Sequence, residues 1–174
     1  MILQDAIELI EHDRIYDVDG PQTWADLGCG EGLFTQALTH LLTPGSHIYA
    51  VDKTRPGPIP FYNDVIVESR IYDFVKDKLD FPPLDGILMA NSLHYVSDKK
   101  TLLNKLSLLL KPTGCLIIVE YDTDTPIPTW VPFPLSFQSL QNLFRQAGYE
   151  TIISIGKRAS VYGRANLYSA FIKK

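Results

Sequence analysis

Two periods of apolar and polar positions alternate along the chain. Apolar residues recur every three or four positions in four segments, which predicts amphipathic helices over residues 2–12, 31–42, 98–110 and 136–147. Shorter apolar runs predict strands over residues 23–27, 47–51, 65–67, 85–90, 115–119, 151–155 and 167–172. Because segment 115–119 is apolar at every position, we expect it to lie at the centre of a parallel sheet.

The order of these elements predicts the fold class. Strand and helix alternate through the first 120 residues, which is typical of right-handed βαβ units around a parallel sheet. Residues 156–166 separate the last two strands and are too few for an easy helical crossover, so these strands should form an antiparallel hairpin. We therefore expect an α/β fold: a three-layer αβα sandwich with a seven-stranded, mostly parallel sheet whose last strand is antiparallel.

Length and charge narrow the class of protein. The 174 residues fit one domain over 1–174, in which residues 1–20 form a short helical extension. A net charge of −4 makes a nucleic-acid partner unlikely, since such proteins usually carry a basic face. We see neither a signal peptide nor an apolar run near the about 18 residues that span a bilayer, which predicts a cytoplasmic protein without membrane contact.

Cysteine and proline positions add two expectations. Cys29 and Cys115 lie in apolar runs and should be buried free thiols, and no Cys/His cluster has zinc spacing, so we predict no metal site. Residues 55–60 and 125–134 are rich in proline, which excludes both segments from helices and central strands. Both should be loops within the domain.

The sharpest chemical signal is the glycine-rich turn after the first strand. Gly28, Gly30 and Gly32 stand at alternate positions between a strand and a helix, with Asp26 just before them. Glycine permits positive φ and close approach of a ligand to the backbone, and a helix N-terminus offers unpaired N–H groups. An NAD site prefers the spacing G-x-G-x-x-G, whereas this turn reads G-x-G-x-G.

Polar residues follow the next three strands. Asp52 ends the second strand, 24 residues after Gly28, where an acid can accept hydrogen bonds from ribose hydroxyls. Asp73 and Phe74 follow the third strand, and Asn91 follows the fourth. Ligands of open α/β sheets bind at the carboxyl ends of the strands, so these turns should form one site.

Taken in order, these segments resemble the class I methyltransferases that depend on S-adenosylmethionine (AdoMet). The resemblance is carried by WADLGCGEGLFT at 24–35, YAVD at 49–52, Asp73-Phe74, DGILMANSLHYV at 85–96 and LLKPTGCLIIVE at 109–120. It extends over about residues 20–173. It implies AdoMet as the cofactor and methyl transfer as the reaction.

The resemblance also assigns roles to ten residues, according to the part of AdoMet that each would contact. They are Asp26, Gly28, Cys29, Gly30 and Gly32 for the methionine part, Asp52 for the ribose, Asp73 and Phe74 for the adenine, and Asn91, chiefly through its backbone, at the mouth of the active site; Lys53 is a further cofactor-binding residue. This sequence departs from the family pattern in two places. The prolines of 55–60 leave no helix after the second strand, and the short N-terminal extension predicts a rather open site.

Three residues are candidates for the catalytic side. His94 follows the fourth strand and could be a general base, or it could simply pack and hydrogen-bond the backbone. Glu120 and Tyr121 end the fifth strand and could orient a substrate amine or hydroxyl, although Glu120 could equally be an ordinary strand-end charge.

Two further segments could contact a substrate. Trp130, Phe133 and Phe137 could form a lid or merely cover the sheet edge. A cluster in the last hairpin could grip an anionic group or be solvated, and its members are Lys157, Arg158 and Arg164.

The leading functional hypothesis is methyl transfer from AdoMet to a small molecule. It rests on the acidic charge balance and on the sequence Asn91-Ser92-Leu93-His94, which lacks the Asn-Pro-Pro-Tyr-like element of enzymes that methylate base or glutamine amides. The alternatives are an RNA or protein methyltransferase and a non-catalytic AdoMet-binding or scaffold subunit. The sequence leaves the oligomeric state open.

Overall fold

The loops that follow the first four strands share one edge of a seven-stranded sheet. The computed structural model describes residues 1–16, 19–159 and 165–174. Its strands are β1 (Thr23–Leu27), β2 (His47–Asp52), β3 (Ile66–Ile71), β4 (Leu84–Ala90), β5 (Leu110–Tyr121), β6 (Thr151–Arg158) and β7 (Leu167–Lys173). They lie in the order β3-β2-β1-β4-β5-β7-β6, and β7 is antiparallel to both of its neighbours. The expected sheet and terminal hairpin are confirmed.

Helices cover both faces of the sheet. They are α1 (Leu3–Ile10), α2 (Asp13–Tyr16), α3 (Leu33–Leu41), α4 (Lys99–Ser107) and α5 (Phe137–Gln146). One apolar core joins α1 and α3 to one face, and a second core joins α4 and α5 to the other. Along β5, Ile117 faces the first core, whereas Leu116 and Ile118 face the second. Residues 115–119 of β5 are buried and apolar at every position, as expected of a strand covered on both faces, which confirms the three-layer prediction.

The leucine-rich segment around residue 108 departs from the sequence prediction. Helix α4 ends at Ser107 instead of continuing to 110, and the side chain of Leu108 is 86% exposed. Leu110 already belongs to β5 and pairs with Leu84, and the N–H of Leu84 donates to the carbonyl of Leu109. The helix and the strand are both present, but the predicted helix end at 110 and the predicted strand start at 115 were wrong. A short run of leucines suits either element, so its periodicity could not decide.

The segment between β2 and β3 contains no helix, as the prolines of 55–60 predict. It folds back over the glycine turn instead, and Pro56 is buried there. A Cβ built on Gly32 would lie 2.5 Å from Cγ1 of Ile59. The loop thus covers one side of the turn that precedes α3.

The N-terminal helix α1 packs beside α3 and against β6 and β7. The hydroxyl of Ser169 donates to the carbonyl of Leu9, and a guanidinium nitrogen of Arg158 lies 2.8 Å from a carboxylate oxygen of Asp5. These contacts fix the start of α1 beside the carboxyl end of β6. Across the described ranges, every helix is too short or too polar to cross a bilayer.

Candidate active site

The glycine turn between β1 and α3 has a shape that other residues do not readily adopt. Gly28, Gly30 and Gly32 have φ values of +84°, +52° and +82°. A Cβ on Gly28 would lie 2.5 Å from Cβ of Ser92, whose hydroxyl donates to the carbonyl of Leu27 at 2.7 Å. Glycine at 28 therefore lets the loops after β1 and β4 meet. A Cβ on Gly30 would contact nothing within 4 Å, so space beside that residue is open.

A buried carboxyl group lies at the base of this turn. Asp26 is 1% exposed, and its Oδ2 accepts a hydrogen bond of 2.6 Å from the hydroxyl of Thr35. Its Oδ1 is buried without a hydrogen-bond partner among the described residues. Burial raises the pKa of Asp26 to about 7, against the opposing hydrogen bond from Thr35. A buried carboxyl with an unsatisfied oxygen suits a cationic ligand group, which would favour its charged form.

Asp52 ties the end of β2 to the glycine turn. One of its carboxylate oxygens accepts from the N–H of Gly30 at 3.0 Å, and the other accepts from the N–H and hydroxyl of Thr54 at 3.0 and 3.1 Å. The oxygen that binds Gly30 retains a further lone pair for a ligand hydroxyl, whereas the other already accepts two hydrogen bonds. Cys29 is a buried free thiol whose N–H donates to the carbonyl of Val51, so it shapes the turn through its backbone.

A cavity of about 450 Å³ opens between the loops that follow β1, β2, β3 and β4. We call it the cofactor cavity. Six of the residues assigned to AdoMet line it, namely Gly28, Asp52, Lys53, Asp73, Phe74 and Asn91. The other four are not part of its wall: Asp26 lies at the end of β1, and Cys29, Gly30 and Gly32 lie in the turn that follows. Gly28 and Asp52 therefore face the same cavity, whereas the N–H of Gly30 is bonded directly to Asp52.

Asp73 begins a turn after β3. Its Oδ1 accepts from the N–H groups of Val75 and Lys76 at 3.0 and 3.2 Å, and its Oδ2 lies 3.6 Å from Nζ of Lys76. Partial burial raises the pKa of Asp73, but the hydrogen bonds from the Lys76 and Val75 amides outweigh that effect and lower it. The side chain is thus held ionised beside Phe74 in the cavity wall.

A second cavity, of about 290 Å³, adjoins the first, and we call it the acceptor cavity. Asn91 and Tyr95 line both. Asn91 has a φ of +53°, and its N–H donates to the carbonyl of Val119 at 2.8 Å. That N–H is therefore engaged in the sheet, while the side-chain Oδ1 is buried and unpartnered within the described chain. Asn91 therefore lies at the junction of the two cavities and has an unsatisfied side-chain oxygen.

His94, which lines the acceptor cavity, forms a buried pair with Glu120. Nδ1 of His94 lies 2.6 Å from Oε2 of Glu120, and the backbone N–H of His94 donates to Oε1 at 3.1 Å. His94 is 2% exposed and Glu120 is fully buried. Glu120 is therefore no ordinary strand-end charge. Both of its oxygens contact His94, one at the ring and one at the backbone N–H, and Glu120 is not part of the cavity wall.

The proline-rich segment after β5 closes one side of this cavity. The ring of Trp130 lies 5.8 Å from that of Tyr121, and both residues line the cavity. The N–H of Phe133 donates to the carbonyl of His94, and Nζ of Lys99 donates to the carbonyls of Val96 and Phe133. Of the three aromatic residues proposed for a lid, Trp130 lines the cavity. The side chain of Phe133 is 44% exposed, and Phe137 packs on Tyr168.

Two more residues line the acceptor cavity, and the sequence analysis did not connect them. Arg158 and Met1 both line the acceptor cavity, and Arg158 is held by Asp5 of α1. The sequence predicted a rather open site. It gave no sign that Asp5 near the N-terminus would contact Arg158 on β6. Arg164, the third member of the predicted cationic cluster, lies outside the described residues.

Comparison with known proteins identifies the family of this chain. Residues 25–116, just over half of the chain, match the family described as "Methyltransferase domain". The chain belongs to the methyltransferase domain family. The matched range runs from β1 into β5 and thus includes every loop of the cofactor cavity. No group of three or more metal-binding side chains occurs in the described part of this methyltransferase domain.

Two curated relatives and one solved structure illustrate the likeness. An O-methyltransferase of Penicillium expansum, cnsE, is 27% identical over 142 residues, which are 73% of this chain and 51% of that protein. An uncharacterised methyltransferase of Mycobacterium tuberculosis is 28% identical over 121 residues, 66% of this chain and 59% of that one. The chain thus spans between half and three fifths of the length of these relatives.

The solved structure is the 1,6-didemethyltoxoflavin-N1-methyltransferase of Burkholderia thailandensis, bound to 1,6-didemethyltoxoflavin and S-adenosylhomocysteine. It superposes on the methyltransferase domain with a TM-score of 0.73 and 20% identity, over 99% of this chain and 77% of that one. At this identity the likeness establishes the Rossmann-like methyltransferase fold.

Proposed function

We propose that this domain binds AdoMet in the cofactor cavity and catalyses methyl transfer to a small molecule in the acceptor cavity. The observation that carries the proposal is the junction of the two cavities at Asn91, since a methyl donor and its acceptor must meet at one point. When bound, the cofactor supplies an activated methyl group on a sulfonium.

Three features of the chain fit such a cofactor. Asp26 has an unsatisfied buried oxygen, Gly30 leaves open space beside the turn, and Asn91 has an unsatisfied oxygen at the cavity junction. Asp26 and the glycine turn would hold the methionine part. Asp52, with Lys53 beside it, would bind the ribose.

The adenine would lie farther along the same cavity. Asp73 and Phe74 are in its wall, where the carboxylate would accept from the amino group of the base and the ring would pack on its face. The domain then contributes to the reaction by placing two bound molecules in a fixed geometry, which can supply several kcal/mol of the barrier.

The acceptor cavity supports a small-molecule acceptor. Its volume of about 290 Å³ lies at the small end of ligand pockets. Arg158 is the cationic side chain in its wall, as far as the described residues go, and Asp5 already pairs with it. A phosphate-binding groove for RNA would need several unpaired cations. The names of two relatives, an O-methyltransferase and an N1-methyltransferase, are consistent with a small acceptor. The cytoplasmic location stays a prediction.

Release of S-adenosylhomocysteine in the presence of a metabolite panel tests this function. We expect turnover with at least one small acceptor, and we expect Asp52→Ala to lose most activity at subsaturating AdoMet. Thr54→Val is the matched control, because it removes a neighbouring hydroxyl and retains the carboxylate. Tight AdoMet binding without turnover on any acceptor would instead favour a non-catalytic AdoMet-binding subunit.

A further inference from the structure

The two edges of the seven-stranded sheet are protected to different degrees. At the β6 edge, the pairing is interrupted between Ser154 and Gly156, and α1 packs against the strand. At the β3 edge, the register with β2 runs from Ile66 to Ile71 without a shift, and the strand contains no proline. Four of the six residues of β3 are exposed. A regular, exposed edge strand is a template for pairing with another strand.

The backbone of β3 offers a complete set of hydrogen-bonding groups at this edge. The N–H groups of Ile66 and Tyr72 donate to carbonyls at the two ends of β2. The N–H and C=O of one residue in a strand point the same way, and successive residues alternate in direction. The groups of Val67, Ser69 and Ile71 therefore point away from β2. Three residues at this spacing suit an antiparallel ladder, in which every second residue exchanges both hydrogen bonds with its partner.

The side chains of β3 complement those of an identical strand that runs antiparallel to it. The strand reads Ile-Val-Glu-Ser-Arg-Ile over residues 66–71. When Ser69 faces Ser69 of a second copy, Glu68 faces Arg70 on both sides of the axis. Cross-strand pairs of opposite charge stabilise a sheet. We propose that β3 pairs antiparallel with β3 of a second copy of this chain, about a two-fold axis at Ser69, so that the two sheets become one.

The charges also exclude the neighbouring registers. In a continuous sheet with a two-fold axis perpendicular to it, facing residues point to the same side, so the axis passes through a residue and not between two. An axis at Glu68 would set that carboxylate opposite its own copy, and an axis at Arg70 would do the same with the guanidinium. Like charges directly opposite each other destabilise a sheet. Ser69 is the central position that sets opposite charges face to face.

Both charged side chains are accessible to a second copy. The side chain of Glu68 is 38% exposed and that of Arg70 is 43% exposed. Within one chain, a guanidinium nitrogen of Arg70 lies 2.6 Å from Oε1 of Glu68, and Nε2 of His47 lies 3.2 Å from Oε2. A guanidinium has five N–H groups, and each carboxylate oxygen can accept more than one hydrogen bond. The intrachain pair can therefore extend into a network of four charges across the axis.

Apolar residues flank the charged centre at both ends of the pairing. In this register Val67 faces Ile71 of the second copy, and Ile66 faces its Tyr72. Ile66 and Ile71 are 57% and 59% exposed in the single chain, and the segment between β2 and β3 forms no helix that could cover them. Pairing buries these side chains and brings the second copy next to Tyr72, which lines the cofactor cavity.

Sedimentation equilibrium over a range of protein concentrations tests the pairing. We expect the mass of the wild-type protein to rise from that of one chain towards that of two. Arg70→Glu sets carboxylates opposite each other on both sides of the axis, so it should weaken self-association by about 30-fold or more. Lys100→Glu is the matched control, because it makes the same change of charge at an exposed position of α4 and should self-associate like the wild type.

Exchange of the two charges makes the test specific for the register. Glu68→Arg should also fail to self-associate, since it sets guanidinium groups opposite each other. The double variant Glu68→Arg/Arg70→Glu should recover the dimer. A mixture of the two single variants should form a heterodimer, because each chain then carries the charges that the other lacks. Recovery in the double variant and in the mixture cannot come from a folding defect.

Ser69→Pro tests the backbone ladder. The N–H of Ser69 points away from β2, so the substitution removes a donor from the open edge and none from the sheet. We expect this variant to remain a monomer. Circular dichroism verifies that it is folded, and if it is not, the mixture of the charge variants decides.

Three results would overturn the inference: a wild-type protein that is monomeric at every concentration, Arg70→Glu that self-associates as strongly as the wild type, or a mixture of the single variants that forms no heterodimer. The first would leave the β3 edge to a different partner or to none. The second would place the contact between copies elsewhere on the chain. None of these measurements depends on AdoMet, so failure of the proposed function is a separate outcome.

Discussion

The two cavities that meet at Asn91 are built in different ways. The cofactor cavity is formed by turns that directly follow β1 to β4, so neighbouring residues in the sequence shape each part of it. The acceptor cavity takes side chains from α3, from the segments around His94 and Trp130, and from β5, β6 and β7. The first depends on local backbone geometry, whereas the second depends on the assembled fold. A family can therefore keep one cavity while the other changes.

The same contrast appears in the buried acid beside each cavity. Asp26 has one bonded oxygen and one unsatisfied oxygen, and burial raises its pKa to about 7. Both oxygens of Glu120 are bonded to His94. Asp26 thus retains an unused acceptor oxygen, whereas both oxygens of Glu120 are used by a residue of the chain.

The largest expected effect comes from a substitution in the glycine turn of the cofactor cavity. In Gly28→Ala, the new Cβ would lie 2.5 Å from Cβ of Ser92 at a φ of +84°. Overpacking and left-handed strain together should lower the free energy of unfolding by about 2–5 kcal/mol and abolish AdoMet binding. Urea unfolding and calorimetry measure the two effects.

Gly30→Ala provides the control for that substitution. Its Cβ would contact nothing within 4 Å, so only the strain of a φ of +52° remains, about 1–2 kcal/mol. Equal loss of stability in both variants would show that the approach of the loops after β1 and β4 does not matter.

The second prediction concerns Asp26 and the pH dependence of stability. Its folded pKa of about 7 exceeds the ordinary value of 3.8, so the folded state holds a proton that the unfolded state has released between these values. Stability of the ligand-free protein should therefore fall as pH rises from about 4 to about 7, by up to about 4 kcal/mol from this group.

Asp26→Asn removes this titration. We expect the variant to be more stable than the wild type above pH 7 and nearly equal to it near pH 4, in thermal unfolding without ligand. The same variant should bind AdoMet more weakly. A stability difference that does not vary with pH would contradict the assigned ionisation.

The third prediction concerns the ribose site. Asp52→Ala should weaken AdoMet binding by about 10–100-fold, since it removes one charge-assisted hydrogen bond, which is worth about 1.5–3 kcal/mol. Part of the loss would come from the freed N–H of Gly30, which Asp52 now binds. Calorimetric Kd values for Asp52→Ala and Thr54→Val separate the carboxylate from its neighbour. Equal affinities in the two variants would show that Asp52 does not contribute to AdoMet binding.

The smallest expected effect is on the acceptor side. Trp130→Ala should raise KM for the acceptor by about tenfold and leave the AdoMet Kd unchanged, because Trp130 lines only the acceptor cavity of the two. Phe133→Ala is its control, since that ring is 44% exposed. A change in AdoMet affinity in Trp130→Ala would mean that the cavities are not separate sites.

The difference between the two cavities also explains which features could be predicted from the sequence. Positive φ at Gly28 and an acid at the end of β2 are encoded by adjacent residues, so the cofactor side could be predicted. The 2.6 Å contact between His94 and Glu120 joins positions 26 residues apart, and nothing in either local sequence indicates it. The leucines at 108–110 misled the prediction because hydrophobicity alone does not show where a helix stops.

The most direct test is a calorimetric titration of AdoMet into the wild-type protein, followed by the same titration into Gly28→Ala. The central claim is that the loops after β1 to β4 form a binding site for this cofactor. We predict saturable binding of one molecule per chain to the wild type and none to the variant. No heat and no thermal shift with the wild-type protein would contradict the account.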